Sequence, residues 1–204
     1  MFLLLMTAAP PVWAAETCDI AAEQAAQESG VPLAILSAIT RAETRNGSGA
    51  PWPWTINHAG TGEWFDTPDQ ALARIDALVA AGESLDIGCF QINTRWHGNA
   101  FGSSADMLDP LTNARYAARY LLELYGESAD WKAAVASYHS RDPDRGDRYA
   151  DRVALIMREA GAPVEPVADP MPRENGFPLL LAGDPVSHGS LFGAAGLLGP
   201  LVGP

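Results

Sequence analysis

The sequence VPLAILSAITRAE, residues 31–43, has the spacing of an amphipathic helix. Ile35, Leu36 and Ile39 fall on one apolar stripe. Glu43 lies four residues after Ile39 and seven after Leu36, so it shares this stripe near the end of the helix. Burial and the negative end of the helix dipole both raise the pKa of such a carboxyl and can keep it protonated as a general acid. The competing interpretation is that the helix has ended and Glu43 points to water.

Helix start and stop signals recur between Cys18 and Ala160. A Thr or Asp before Pro favours the first turn of a helix, and Gly favours its end. The segment PWPWTINHAGTGEWF, residues 51–65, is too rich in Pro, Gly and Trp for a helix and predicts a loop with a small hairpin. We therefore expect a mainly helical α+β domain with a small β element. The expected helix starts are Asp19, Pro32, Thr67, Asp109, Asp130 and a residue near Asp147, and the expected ends are Gly30, Gly82, Gly126 and Glu159.

The composition narrows the class of protein. Of 204 residues, 48% are hydrophobic and 19% are charged, which is typical of a soluble globular protein. No uninterrupted apolar stretch reaches the roughly 20 residues of a membrane-spanning helix. Thirteen Lys and Arg against 25 Asp and Glu give a net charge of −12. This sign excludes a protein that binds nucleic acid by neutralising its phosphates.

The N-terminal sequence MFLLLMTAAPPVWAAE has an apolar core followed by small residues. Val12 and Ala14 fit a cleavage site before Ala15, so residues 1–14 are predicted to be a signal peptide that directs export to the periplasm. No Lys or Arg precedes the apolar core, and the alternative interpretation is a buried N-terminal strand or helix.

Two cysteines, Cys18 and Cys89, form an even count that an oxidising compartment would pair in a disulfide. The alternative is two buried thiols. Neither cysteine has a second Cys or His within two to five residues, so the spacing predicts no metal site.

The composition changes after the last expected helix. Residues 15–160 form the predicted domain, and residues 161–204 are rich in Pro and Gly with no helical period, which predicts a largely disordered tail. Apolar patches surround Leu180 and Leu198. They are either low-complexity sequence or a segment that orders on a partner protein.

Two segments carry the residue types of a carbohydrate groove. PWPWTIN contains Trp54 and Asn57, and aromatic faces beside amides suit sugar C–H faces and hydroxyls. In DIGCFQIN, residues 86–93, the amides of Gln91 and Asn93 alternate with apolar residues and can face one groove.

The sequence contains, in this order, a helix that ends in Glu-Thr, then PWPWTIN, GCFQIN, ASYHS and a Tyr followed four residues later by Val. This series of motifs resembles the SLT-type lytic transglycosylase domain shared with goose-type lysozymes. The resemblance covers Cys18 to Ala160 and implies a lysozyme-like fold. It departs from the family at three positions, with Cys89 for Leu, Phe90 for Met and His139 for Asn.

The resemblance implies roles for individual residues. Glu43 is the catalytic acid and base, and Thr44 is its hydroxyl neighbour. Gln91 and Asn93 contact the saccharide or its N-acetyl group. Tyr138 is a partner of the Glu43 carboxylate, and Tyr149 matches the late tyrosine of the family. Together with Trp54 and Asn57, these residues make up the predicted substrate-binding site.

The implied reaction is peptidoglycan cleavage between N-acetylmuramic acid and N-acetylglucosamine, with a 1,6-anhydro product and no metal or organic cofactor. The PWPW segment and the paired cysteines resemble a subgroup found in envelope-spanning machines, which implies flagellar rod or secretion-system proteins as partners of the tail. The enzyme is expected to be a monomer. One alternative is a hydrolytic muramidase, for which Glu63 or Asp86 could supply a second carboxylate. The other is a non-catalytic glycan-binding adaptor of the envelope.

Overall fold

The computed structural model describes residues 13–44 and 50–161, and only the backbone of residues 13–16. In this part of the chain helices dominate and one small antiparallel sheet accompanies them, which confirms the predicted fold class. The helices are α1 (Trp13–Ser29), α2 (Leu33–Thr44), α3 (Pro68–Ala80), α4 (Thr94–His97), a 3-10 turn (Gly98–Ala100), α5 (Ser104–Leu108), α6 (Pro110–Ser128), α7 (Trp131–His139) and α8 (Pro143–Glu159).

Side-chain caps begin α3, α6 and α7 as predicted. The Thr67 hydroxyl accepts from the Gln70 N–H at 3.3 Å, and Asp109 accepts from the Thr112 N–H at 2.8 Å. Asp130 accepts from the backbone N–H groups at the start of α7. Each cap satisfies an N–H that has no partner within the helix, which fixes where the helix begins.

The predicted starts of the first and last helices are wrong. Helix α1 begins at Trp13, so Asp19 lies inside it and pairs with Arg41 of α2 at 2.7 Å. Helix α8 begins at Pro143, because Asp142 caps it by accepting from the Arg145 N–H at 3.0 Å. For this helix, Asp142 followed by Pro143 is thus a stronger start signal than Asp147.

The predicted end of α6 at Gly126 is also too early. The helix continues to Ser128, and Ala129 ends it in the left-handed conformation with φ of 52°. Gly126 is exposed and remains helical despite the low helix propensity of glycine.

Four strands form the sheet within the described residues, in the order β2-β1-β3-β4 with antiparallel neighbours. Ala59 and Gly60, both with positive φ, make the two-residue turn of the predicted hairpin, since a turn of this hand matches the twist of the strands. The strands are β1 (Thr55–His58), β2 (Thr61–Trp64), β3 (Leu85–Ile87) and β4 (Ile92–Asn93).

The core lies among the long helices and under the sheet. Helix α1 packs on α2 and α6, and α8 packs on α2 and α7. Cys18 of α1 and Cys89 of the β3–β4 turn are both fully buried and form a disulfide, with Cα atoms 5.6 Å apart. The first helix is therefore covalently joined to the turn that carries the GCFQIN motif. The largest fully buried side chains are Phe90, Leu36, Ile39, Ile56, Ile75, Leu85, Ile87, Leu121 and Leu124.

Two predicted segments fall outside the described residues. Only Trp13 and Ala14 of the predicted signal peptide are described, and they are helical. Of the predicted tail, only Gly161 is described. In the parts that the structure covers, each helix is too short or too polar to span a membrane.

Candidate active site

A cavity of about 720 Å³ brings together residues from the helices and the sheet. It includes the predicted site residues Glu43, Asn57, Gln91, Asn93 and Tyr138. A more open cavity of about 400 Å³ between α1 and α2 includes none of the predicted site residues. The other residues that line the larger cavity are Asp86, Ile92, Trp96, His97, Tyr120, Ser137, His139, Ser140, Arg141 and Arg145.

Glu43 is half-buried in the last turn of α2 and lines this cavity. Burial raises its pKa from 4.5 to about 7, and the nearby Asp86 adds to the rise. Tyr149 and the Arg152 guanidinium act in the opposite direction and lower this pKa. The carboxyl can therefore both donate and accept a proton near neutral pH, as a general acid and base must.

Tyr149, rather than Tyr138, is the tyrosine that interacts directly with Glu43. Its buried hydroxyl lowers the pKa of Glu43, yet forms no hydrogen bond of ordinary geometry within the described part of the chain. The two groups are close neighbours in the fold. The Tyr138 hydroxyl instead donates to the Phe90 carbonyl at 2.9 Å. The predicted pairing of Tyr138 with the carboxylate is thus replaced by a link between α7 and the β3–β4 turn.

A second carboxylate, Asp86 of β3, lines the same cavity. Burial raises its pKa, while a hydrogen bond from Asn93 Nδ2 at 2.7 Å lowers it. Glu63, the other carboxylate considered from the sequence, is bound to Arg74 at 3.1 Å and does not line the cavity. Asp86 is therefore the carboxylate that could assist Glu43.

Gln91 has a strained backbone with φ of 46°, a region that residues other than glycine rarely adopt. Its side-chain Nε2 donates to the Gly88 carbonyl at 3.0 Å and to the Thr55 carbonyl at 3.4 Å. Because both bonds use Nε2, the amide oxygen is the atom that can accept from a ligand. Such strain is often found at functional sites.

Asn93 is already engaged by the protein. Its Oδ1 accepts from the Arg95 N–H at 2.9 Å and caps α4, and its Nδ2 holds Asp86. The Asn57 Oδ1 likewise accepts from the Gly60 N–H at 3.0 Å in the hairpin turn. Both residues line the cavity and also fix the segments that form it.

Thr44 and Trp54 lie outside the cavity. The Thr44 hydroxyl donates to the Thr40 carbonyl at 2.8 Å and accepts from the Trp52 N–H at 2.9 Å, and its carbonyl accepts from Trp64 Nε1. Thr44 is 1% exposed and ties the end of α2 to the segment that follows. Trp54 packs on the core next to Trp52.

Trp96 is the aromatic residue that sequence reasoning missed. It lines the cavity and is 77% exposed, so a large apolar ring faces solvent at the site. Nearby, the Tyr116 hydroxyl lies 2.7 Å from His97 Nδ1, and His97 packs on Tyr120. The signal in the sequence that could have identified Trp96 was its position three residues after Asn93, which caps α4.

His139 lines the cavity with its ring stacked on Tyr149, at 4.4 Å between ring centres. Burial lowers its pKa, as do Arg152 and Arg145, whereas Asp86 raises it. The stacked ring of His139 therefore supports Tyr149 and forms part of the cavity wall.

Comparison with protein families gives one match, the model described as the transglycosylase SLT domain, over residues 20–142. This range is more than half of the chain and contains every motif of the predicted site except Tyr149. Comparisons with curated proteins and with solved structures give no match.

Proposed function

Since the chain belongs to the transglycosylase SLT domain family, whose members are lytic transglycosylases that act on peptidoglycan, we propose that Glu43 cleaves the glycan by itself, without a second catalytic carboxylate. The observation that carries this proposal is the half-buried carboxyl of Glu43 in the cavity, with its pKa raised to about 7.

The reaction divides into two steps at this carboxyl. Protonated Glu43 gives its proton to the glycosidic oxygen between N-acetylmuramic acid and N-acetylglucosamine, and the substrate's acetamido oxygen bonds to C1 as the C1–O bond breaks. The resulting Glu43 carboxylate then takes the proton of the C6 hydroxyl. The C6 oxygen attacks C1, the acetamido oxygen leaves, and a 1,6-anhydro sugar forms without any water being consumed.

The other cavity residues hold the substrate. The Gln91 amide oxygen accepts from a ligand N–H or hydroxyl, and the exposed face of Trp96 packs on a sugar ring. Tyr138 and Asn93 keep the β3–β4 turn and Asp86 in place through their hydrogen bonds to Phe90 and Asp86.

The decisive experiment compares wild type with Glu43→Gln on purified peptidoglycan, with products analysed by mass spectrometry. The substitution is nearly isosteric and removes the transferable proton, so we expect the rate to fall at least about a hundredfold. The matched control is Glu83→Gln, an exposed carboxylate outside the cavity, which should retain wild-type activity. If Glu43→Gln keeps more than about a tenth of the activity, Glu43 is not the acid.

Hydrolysis is the second candidate, because Asp86 lines the cavity together with Glu43 and could position a water or stabilise positive charge at C1. Cleavage in heavy-oxygen water separates the two reactions. Intramolecular attack leaves the product unlabelled and anhydro-ended, whereas hydrolysis labels the new reducing end. We expect unlabelled product, and Asp86→Asn should remain active. Binding of glycan with no products of either kind would instead indicate the adaptor.

We further propose that the enzyme is exported to the periplasm and opens the wall for an envelope-spanning assembly. The sequence of residues 1–14 and the Cys18–Cys89 disulfide support export. Periplasmic fractionation and N-terminal sequencing test this, with Ala15 as the expected first residue. Recovery of the protein only in the cytoplasm would contradict export.

The proposed role for residues 161–204 is to hold the enzyme at that assembly through the apolar sequences around Leu180 and Leu198. Truncation after Ala160 should leave turnover of purified peptidoglycan within a few-fold of the full chain and weaken co-purification with flagellar rod or secretion-system proteins. Unchanged co-purification, or loss of folding, would contradict this role.

A further inference from the structure

The cavity has a positive side that the cleavage reaction does not use. Arg141, which follows α7, and Arg145, in the first turn of α8, both line it. The chain as a whole carries a charge of −12, so the two guanidinium groups in this cavity are opposite in sign to the net charge of the protein. Charges in a concave site act on a ligand more strongly than charges scattered over the surface.

The two arginines differ in how they are engaged. Arg141 makes a two-pronged ion pair with Glu127 through both terminal nitrogens. The Arg145 guanidinium is exposed and, among the residues that the structure describes, has no carboxylate within 4.0 Å and no hydrogen-bond partner. Other described arginines also lack an ion pair, including Arg148, but of these Arg145 alone lines the cavity. It is thus the cation that remains available to a ligand.

The acidic and basic groups of the cavity come from different elements. Glu43 ends α2 and Asp86 lies in β3, whereas both arginines belong to the α7–α8 region. His139 is within electrostatic reach of both sets, because Asp86 raises its pKa and Arg145 lowers it. A ligand that places its scissile bond at Glu43 can therefore extend an anionic substituent toward Arg145.

We propose that Arg145 binds a carboxylate on the peptide attached to the glycan, and so makes the enzyme prefer peptide-bearing strands. This inference rests on the proposed function. The peptide is joined to the N-acetylmuramic acid whose C1 bond is cut, and so it leaves the sugar close to the acid. The planar guanidinium donates two parallel N–H bonds to a carboxylate, a geometry that suits recognition of this group.

The test compares native peptidoglycan with the same material after its free carboxyls are converted to carboxamides. This treatment removes the negative charges and keeps the size of the peptide. For wild type we expect KM to be about fivefold lower on the native substrate, a modest factor because Arg145 is exposed to solvent. Arg145→Gln should raise KM on native substrate by a similar factor, keep kcat within about twofold, and leave the amidated substrate unaffected.

The matched control is Arg148→Gln, which removes a charge from the same helix outside the cavity and should behave as wild type on both substrates. The preference of wild type should also disappear at about 1 M salt, where the Debye length is only about 3 Å. Both variants should keep the wild-type melting temperature, because neither side chain forms a hydrogen bond or ion pair in the described structure.

Several outcomes overturn the proposal while the proposed function stands. They are equal cleavage of native and amidated substrate by wild type, and an equal loss on both substrates in Arg145→Gln. A third arm uses strands stripped of peptide by an amidase, which hydrolyses the amide between the lactyl group and the peptide and so frees the lactyl carboxylate. If Arg145→Gln is impaired on these strands as much as on native ones, Arg145 does not distinguish a peptide carboxylate from the lactyl carboxylate, and the proposed preference for peptide-bearing strands is wrong. Failure of wild type to cleave native peptidoglycan would instead refute the proposed function.

Discussion

The Phe90 backbone N–H donates a hydrogen bond of 2.9 Å to Oδ1 of Asn113, a fully buried side chain of α6. The same side chain donates from Nδ2 to the carbonyls of Ile87, at 3.0 Å, and Met107, at 2.8 Å. Gly88 has φ of +78° and packs so closely on Asn113 that an added Cβ would lie 3.0 Å from it. One amide therefore holds the turn that carries the GCFQIN motif.

Asn113→Leu should destabilise the protein by about 3 kcal/mol, because it removes three buried hydrogen bonds to backbone groups. Urea denaturation measures this change. Asn99→Leu is the control, since Asn99 is exposed, and should change the free energy of unfolding by less than about 0.5 kcal/mol. A loss below about 1 kcal/mol in Asn113→Leu would mean that the turn does not depend on the amide.

Glu43→Gln should stabilise the protein in a pH-dependent way. The pKa of Glu43 is about 7 in the folded protein against an ordinary value of 4.5, so the folded state favours the protonated form. Below about pH 4.5 both states are protonated and the carboxyl carries no penalty. The penalty grows as the pH rises to 7 and is complete above it.

At pH 8 we therefore expect Glu43→Gln to be more stable than wild type by about 2 kcal/mol, after allowance for the partial exposure of the residue, and equally stable near pH 4. Thermal melting across this pH range gives the difference. A stability difference that does not change with pH would show that the carboxyl titrates normally.

Tyr149→Phe should move the pH dependence of cleavage. The Tyr149 hydroxyl lowers the pKa of Glu43, so its removal raises that pKa. Because the first step needs protonated Glu43, kcat/KM of wild type should fall as the pH rises through about 7, and in Tyr149→Phe this fall should occur at higher pH. Tyr125→Phe, which alters a tyrosine stacked on Trp131 away from the cavity, should leave the profile unchanged. An unshifted profile in Tyr149→Phe would remove this tyrosine from the pKa control of Glu43.

The double substitution Cys18→Ala and Cys89→Ala should lower the free energy of unfolding by roughly 4 kcal/mol, because the disulfide closes a loop with a sequence separation of 71 residues in the unfolded chain. Urea denaturation of the variant and of reduced wild type should give the same loss. Mass mapping of protein purified from the periplasm should find no free thiol, and two free cysteines there would refute the bond.

The sequence by itself determined much of the local structure and made Glu43 the candidate acid. Apolar spacing placed Glu43 on the buried stripe of α2, and Thr67, Asp109 and Asp130 marked helix starts, because caps and periodicity depend on residues within a turn or two of each other. The hairpin was equally readable from its Pro, Gly and Trp content. At α8 the prediction named a start near Asp147 and missed the cap that Asp142 forms before Pro143.

Only the tertiary structure decided which side chains share the cavity. The sequence predicted Tyr138 as the partner of Glu43, but the packing of α7 and α8 directs Tyr138 to the Phe90 carbonyl and places Tyr149 beside the carboxyl. Packing likewise places Trp54, partly buried, against the core and exposes Trp96 in the cavity. It also brings Asp86 and Arg145 into one site, although they are 59 residues apart in the sequence. These contacts depend on how elements that are far apart in the sequence pack together, and no pattern within a single segment encodes that packing.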